Sequence, residues 1–167
     1  MDYEEQYAQK QALKKLYNNM GLFGKHCFPT ALAKDTPSFH NEIYKVLRDD
    51  KVKRCAIAAP RGTAKSTTTT LIYPLWRIAF KRTDEDLFIV IISESQAQSI
   101  NFLSRIKYHL QFSGKFREIF GDMGPATAQR WTSTDIILQN GARIVAVGTG
   151  QRVRGFIEGD TRPNLVI

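Results

Sequence analysis

Between Ala59 and Thr67 the chain reads APRGTAKST, a loop of small residues, a proline and an arginine that runs into Lys65 and Ser66. An ammonium followed by a hydroxyl is a pair suited to polyphosphate chemistry. Lys65 can bridge phosphate oxygens, and Ser66 can ligate magnesium. Ala59, Pro60, Arg61, Gly62, Thr63 and Ala64 would form the wall of such a site, because backbone N–H groups ahead of a helix attract anions. The pattern for this chemistry, G-x-x-x-x-G-K-[ST], asks for glycine where Ala59 and Ala64 stand. Alanine is the next smallest residue, so the loop closes if φ stays negative at both positions, with Gly62 left for one unusual torsion. Arg61 suits a sensor of a γ-phosphate, or a solvated cation on a plain basic turn. The residues alone leave both readings of the loop open.

Other side chains carry less. Phe39 and His40 suit either packing on an adenine ring or the core side of a helix start. Glu94 follows an apolar run, where parallel sheets bind ligands, and also suits a helix N-terminus. His26 and His109 have no neighbours at metal-ligand spacing. Lys107, Lys115 and Arg117 fit a DNA-facing surface or a solvated helix flank equally well. Cys27 and Cys55 form no C-x-x-C motif, and Cys55 reads as a small buried hydrophobe in an apolar run.

The elements that would hold the loop are legible as alternating strand and helix signals. Tyr3 to Met20 has helical spacing on Leu13, Leu16, Tyr17 and Met20, with Gly21 as its stop. TPSFHNEIYKVL begins a second helix, capped by Thr36 with Pro37 in its first turn and Phe39, Ile43, Val46 and Leu47 on its apolar side. The run CAIAA, with its strand over Arg54 to Ala58, and LFIVII, Leu87 to Ile92, read as strands buried on both faces. Each precedes a helical stretch, Lys65 to Phe80 and Ser95 to Phe112. Pro74 falls inside the first of these and should kink it or end its first half, because it cannot bond the carbonyl of Thr70. Asn140-Gly141 separates two alternating runs and predicts a hairpin. NLVI, at the end, reads as a further buried strand. The order strand, helix, strand, helix predicts an α/β sheet, mainly parallel, in one domain.

Composition narrows the partners. With 24 Lys+Arg against 16 Asp+Glu, the formal charge is +8 and the pI about 9.6. That excess favours nucleic acid, nucleotide phosphates or an acidic membrane surface. The polar, acidic start MDYEEQYAQKQ does not read as a signal peptide, and LFIVII is far short of the ~20 residues of a membrane span. The chain reads as a reduced, soluble, intracellular protein.

Taken together, four segments resemble the large terminase subunits of tailed bacteriophages. APRGTAKST is similar to that family's divergent Walker A loop, where an internal arginine and an alanine for glycine are common. FIVIISESQAQSINFLSRIKYHL resembles its second strand and following helix. TSTDIILQNGARIVAVGTGQRVRG resembles its hairpin and the Arg-Gly motif before the Walker B strand. PSFHNEIYKVL is similar to its segment near the adenine. The match runs from about Phe28 to Ile167, after a helical N-terminal extension over 1–35.

The resemblance implies a P-loop NTPase of the ASCE type, with helices on both sheet faces and a hairpin before the last strand. Its activity would be ATP hydrolysis that drives double-stranded DNA into a capsid, with ATP and magnesium as cofactors. The portal protein, the small terminase subunit and further copies in a ring would be its partners, in the cytoplasm of a phage-infected bacterium and not as a permanent virion component. By matching position, Lys65 holds phosphates, Ser66 or Thr67 the magnesium, Arg61 responds to the γ-phosphate, Phe39 lies near the adenine, and Arg154 or Arg152 acts as the arginine finger. The family's Walker B acids would follow Ile167, and its C-terminal nuclease domain lies outside this chain. The expectation is therefore a fragment that binds ATP and hydrolyses it poorly. A helicase-like P-loop motor and a non-catalytic nucleotide- or DNA-binding fragment are the alternative readings.

Overall fold

The first helix, α1 (Tyr3–Asn18), begins on a capping box in which Asp2 and Glu5 satisfy each other's backbone N–H groups. Asn19 ends it and also caps α2 (Met20–Cys27), its side chain accepting from the N–H of Leu22 at 2.9 Å. Gly21 therefore does not stop a helix, contrary to the reading from sequence. It lies buried inside α2, where a Cβ would stand 3.2 Å from the ring of Tyr44, so the residue permits close helix packing. In this computed structural model residues 2–32, 37–150 and 161–167 are described.

Helix α3 (Ser38–Arg48) has Pro37 at its N-cap, and Thr36 lies outside the described residues. Its buried face is His40 and Tyr44, while Val46 is exposed and Phe39, Ile43 and Leu47 are half-buried. From Lys65 to Ala79 the chain is helical without a break: α4 (Lys65–Thr67), a π-helical turn (Thr68–Ile72) and α5 (Tyr73–Ala79). The N–H of Tyr73 bonds the carbonyl of Thr68, five residues back. The wide turn sits directly before Pro74, which has no N–H to offer. Thr69 and Thr70 donate their hydroxyls to the carbonyls of Lys65 (3.0 Å) and Ser66 (2.5 Å), which also loosens the α pattern there.

Five strands form one mixed sheet in the order β2-β3-β4-β1-β5. They are β1 (Phe88–Ser93), β2 (Arg130–Trp131), β3 (Asp135–Ile137), β4 (Arg143–Gly148) and β5 (Leu165–Val166). β1 lies parallel to both β4 and β5, whereas β2, β3 and β4 are joined antiparallel. The expected parallel character is thus confined to the three strands around β1. The Asn140-Gly141 turn forms as read, with Gly141 at φ +78°. Alternation divides the sheet's residues between two cores: Ile89, Ile91, Ile144 and Ala146 face the main core, and Phe88, Val90, Val145 and Val147 form a smaller one. Helix α6 (Gln96–Phe112), capped by Ser95, packs on β1 and β4, and α7 (Gly114–Phe120) follows with Ser113 as its cap.

One expected strand does not form. Residues 52–60 carry no strand pairing, and Cys55 is exposed rather than buried. A cleft of about 730 Å³ separates Val52–Ile57 from the segment Pro163–Ile167, where a ladder partner would have to lie. Without a neighbour to accept its N–H groups, an extended apolar run remains an unpaired chain.

Candidate phosphate-binding site

The loop from Ala59 to Ala64 leads into the first turn of the long helical run. Gly62 takes φ +83°, as its sequence position suggested, and a Cβ there would meet nothing within 4 Å. Ala64, expected to keep φ negative, is left-handed at φ 56°, ψ 22°. An L-residue with a Cβ tolerates that region at a cost of roughly 1–2 kcal/mol, held there by its surroundings.

Those surroundings are specific. Thr63 donates its hydroxyl to the carbonyl of Pro60 at 2.8 Å, closing the loop internally. His40 Nε2 lies 2.6 Å from the carbonyl oxygen of Thr63, tying the loop to α3. The carbonyl of Ala64 accepts from the N–H of Thr68 at 2.9 Å and starts the helix. Positive φ at Gly62 and Ala64, on either side of Thr63, is a backbone feature shared with loops whose N–H groups meet anions.

Lys65 is half-buried and its Nζ stands 3.4 Å from the carbonyl of Ala59, across the mouth of the loop. It also lines the 730 Å³ cleft, together with Val166 and Ile167 at the carboxyl end of β5. Arg61, Gly62 and Ser66 are exposed, and Thr67 accepts a long contact, 3.5 Å, from Arg105 on α6. Phe39 borders a second cleft of about 280 Å³ whose opposite wall is Cys55 to Ala59. The structure thus brings Phe39, Ala59 to Ala64, Lys65, Ser66 and Thr67 into one neighbourhood. Arg152 and Arg154 lie outside the described residues.

Other candidates take structural places. Lys107 sits 4.9 Å from the centre of the Trp131 ring and bonds the carbonyl of Thr132 at 2.9 Å, and burial lowers its pKa. Lys115 pairs with Glu118 and Arg117 with Asp122, both on exposed surface. Glu94 is exposed at the end of β1, its carbonyl accepting from Thr149 Oγ1 at 2.8 Å. His109 is buried against the ring of Phe28, away from solvent. Among the described residues no group of three or more His, Cys, Asp or Glu could hold a metal ion. Among them too, no helix is long and apolar enough to cross a membrane.

Two residues at this site were not read as part of the loop from sequence. From sequence His40, 23 positions upstream of Thr63, suits an adenine contact or a core position, and Arg105 carries no signal for the loop. Neither contact leaves a local signal, because both join segments far apart in the chain. No protein-family model matches the chain, and no curated protein matches it either.

Proposed function

We propose that the chain is a nucleotide-binding motor domain of the P-loop class, the ATPase part of a DNA-packaging terminase. The observation that carries this reading is the loop itself: positive φ at Gly62 and Ala64, then Lys65 and Ser66 at the head of one helical run. The donors present fit a magnesium-bound polyphosphate. Lys65 offers an ammonium at the loop mouth, Gly62 leaves open space beside the backbone, and Ser66 exposes a hydroxyl. When bound, ATP supplies a transferable γ-phosphoryl group, and magnesium neutralises its charge. In that state Lys65 would hold phosphate oxygens, Ser66 or Thr67 the metal, and Arg61 would stand beside the γ-position. Phe39 would border the base from the cleft beside Ala59.

Support for packaging comes from the four segments that resemble terminases in that family's order, and from the excess of positive charge. Double-stranded DNA, a portal, a small subunit and a ring of copies in the host cytoplasm belong to the same proposal. Two experiments test it. Photo-crosslinking with 8-azido-ATP, whose azide sits on the base, should label peptides around Phe39 and Cys55 to Ala59, and ADP should compete where adenosine does not. Binding to a labelled DNA duplex should weaken steeply and log-linearly with salt. Labelling spread evenly over the chain would overturn the nucleotide site, and salt-independent DNA binding would overturn a phosphate-tracking surface.

A further inference from the structure

We infer that His40 is a positioning residue for the phosphate loop, fixing the peptide between Thr63 and Ala64 in the orientation an anion requires. This inference rests on the phosphate-loop reading above.

His40 lies in the interior of the protein. The side chain is 3% exposed, and its Nε2 makes a short contact of 2.6 Å with the Thr63 carbonyl oxygen. A carbonyl only accepts, so Nε2 carries the hydrogen and donates. The other ring nitrogen, Nδ1, is buried with no hydrogen-bond partner among the described residues. Leaving a buried polar atom unsatisfied is costly, so hydration of the ring does not account for its position. The ring is wedged instead between Phe39, with centroids 4.5 Å apart, and Tyr44, at 6.3 Å, so its direction is set by α3.

The consequence passes through covalent geometry. The carbonyl of Thr63 and the N–H of Ala64 belong to one planar trans peptide and point to opposite sides. Holding the oxygen toward α3 therefore aims the Ala64 N–H away from the imidazole. The same bond holds the peptide that leads into the left-handed Ala64 and hence the approach to Lys65. In most phosphate loops glycine would enter this torsion unaided; here a histidine on another helix supplies the constraint.

The test uses the whole chain, with three variants and two probes, magnesium-ATP and inorganic tripolyphosphate, titrated by calorimetry. His40→Leu keeps a buried apolar side chain and removes the donor. His40→Gln places an amide N–H near the position of Nε2. Lys65→Ala reports the loop reading independently. The inference predicts that His40→Leu weakens both probes by about tenfold, the scale of one hydrogen bond. It also predicts that His40→Gln recovers most of that loss, although thermal unfolding shows both variants destabilised. Wild-type affinity in His40→Leu, alongside loss in Lys65→Ala, would overturn the positioning role and leave the loop reading intact. Equal loss in Leu and Gln would reduce His40 to a packing residue and overturn it as well. No binding of either probe by the wild-type chain would overturn both.

Discussion

Asp135 on β3 and Arg143 on β4 face each other as a two-pronged pair, Nε to Oδ1 at 3.1 Å and Nη2 to Oδ2 at 2.9 Å. They are diagonal neighbours across the hairpin, since Asp135 stands opposite Val145 and Arg143 opposite Ile137. The Arg143 guanidinium also lies 4.5 Å from the centre of the Phe88 ring on β1, and Arg130 reaches the same carboxylate at 2.7 Å. One carboxylate on β3 thus ties β2 to β4, and Arg143 carries the contact on to Phe88 of β1.

Replacing Asp135 with alanine removes that partner from a largely buried guanidinium. Urea unfolding of Asp135→Ala should show a loss of about 2–3 kcal/mol, near the lower end for breaking a buried pair because these side chains keep some exposure. A change below about 0.5 kcal/mol would class the pair with ordinary surface bridges.

Ala64 supplies a second prediction. Glycine relieves the left-handed torsion but gains freedom when unfolded, so Ala64→Gly should be neutral or stabilising by up to about 1 kcal/mol. Ala64→Val sets a branched side chain in the same torsion and should cost about 1–2 kcal/mol. Denaturant midpoints for the two variants check the order, and a valine variant more stable than the glycine one would contradict the observed backbone.

The two thiols should differ sharply. Cys27 is buried, and burial pushes its pKa up to about 12, so almost no thiolate forms near neutral pH. Cys55 is exposed on the unpaired segment. A disulfide reagent should therefore modify one thiol quickly in the native protein and the second only after denaturation. Two protected thiols would restore the buried strand that the sequence suggested.

His109 gives a pH dependence with a definite sign. Burial, and secondarily the positive charge of Arg105, lower its pKa below the ordinary value of 6.5. The unfolded chain then binds a proton that the folded chain resists. This contribution to stability is complete above about pH 6.5 and is lost as pH falls from there toward the lowered folded value. Thermal midpoints of wild type and His109→Gln should converge on acidification through that window. Parallel curves would remove His109 as the cause.

Much of this architecture was legible in the residues, and the failures share a cause. Leu87 to Ile92 and the Asn140-Gly141 turn were readable because continuous burial and a two-residue turn are local properties. Cys55 to Ala59 has the same apolar look, yet a strand depends on a neighbour, and the neighbour's place is a cleft. Gly21 resembled a helix stop because sequence does not distinguish a flexible glycine from one chosen for close packing against Tyr44. At the candidate site, the position of Lys65 and Ser66 at the head of a helical run was readable from spacing. The left-handed Ala64 and its anchor His40 were not, since 23 residues separate His40 from the carbonyl it holds.

The central claim is that the loop ending in Lys65 binds the phosphates of ATP, and calorimetric titration of the 167-residue chain with magnesium-ATP tests it most directly. The account predicts saturable binding near one nucleotide per chain, lost by at least about tenfold in Lys65→Ala while the variant's unfolding midpoint stays close to wild type. Absence of binding, or equal binding by wild type and Lys65→Ala, would contradict it.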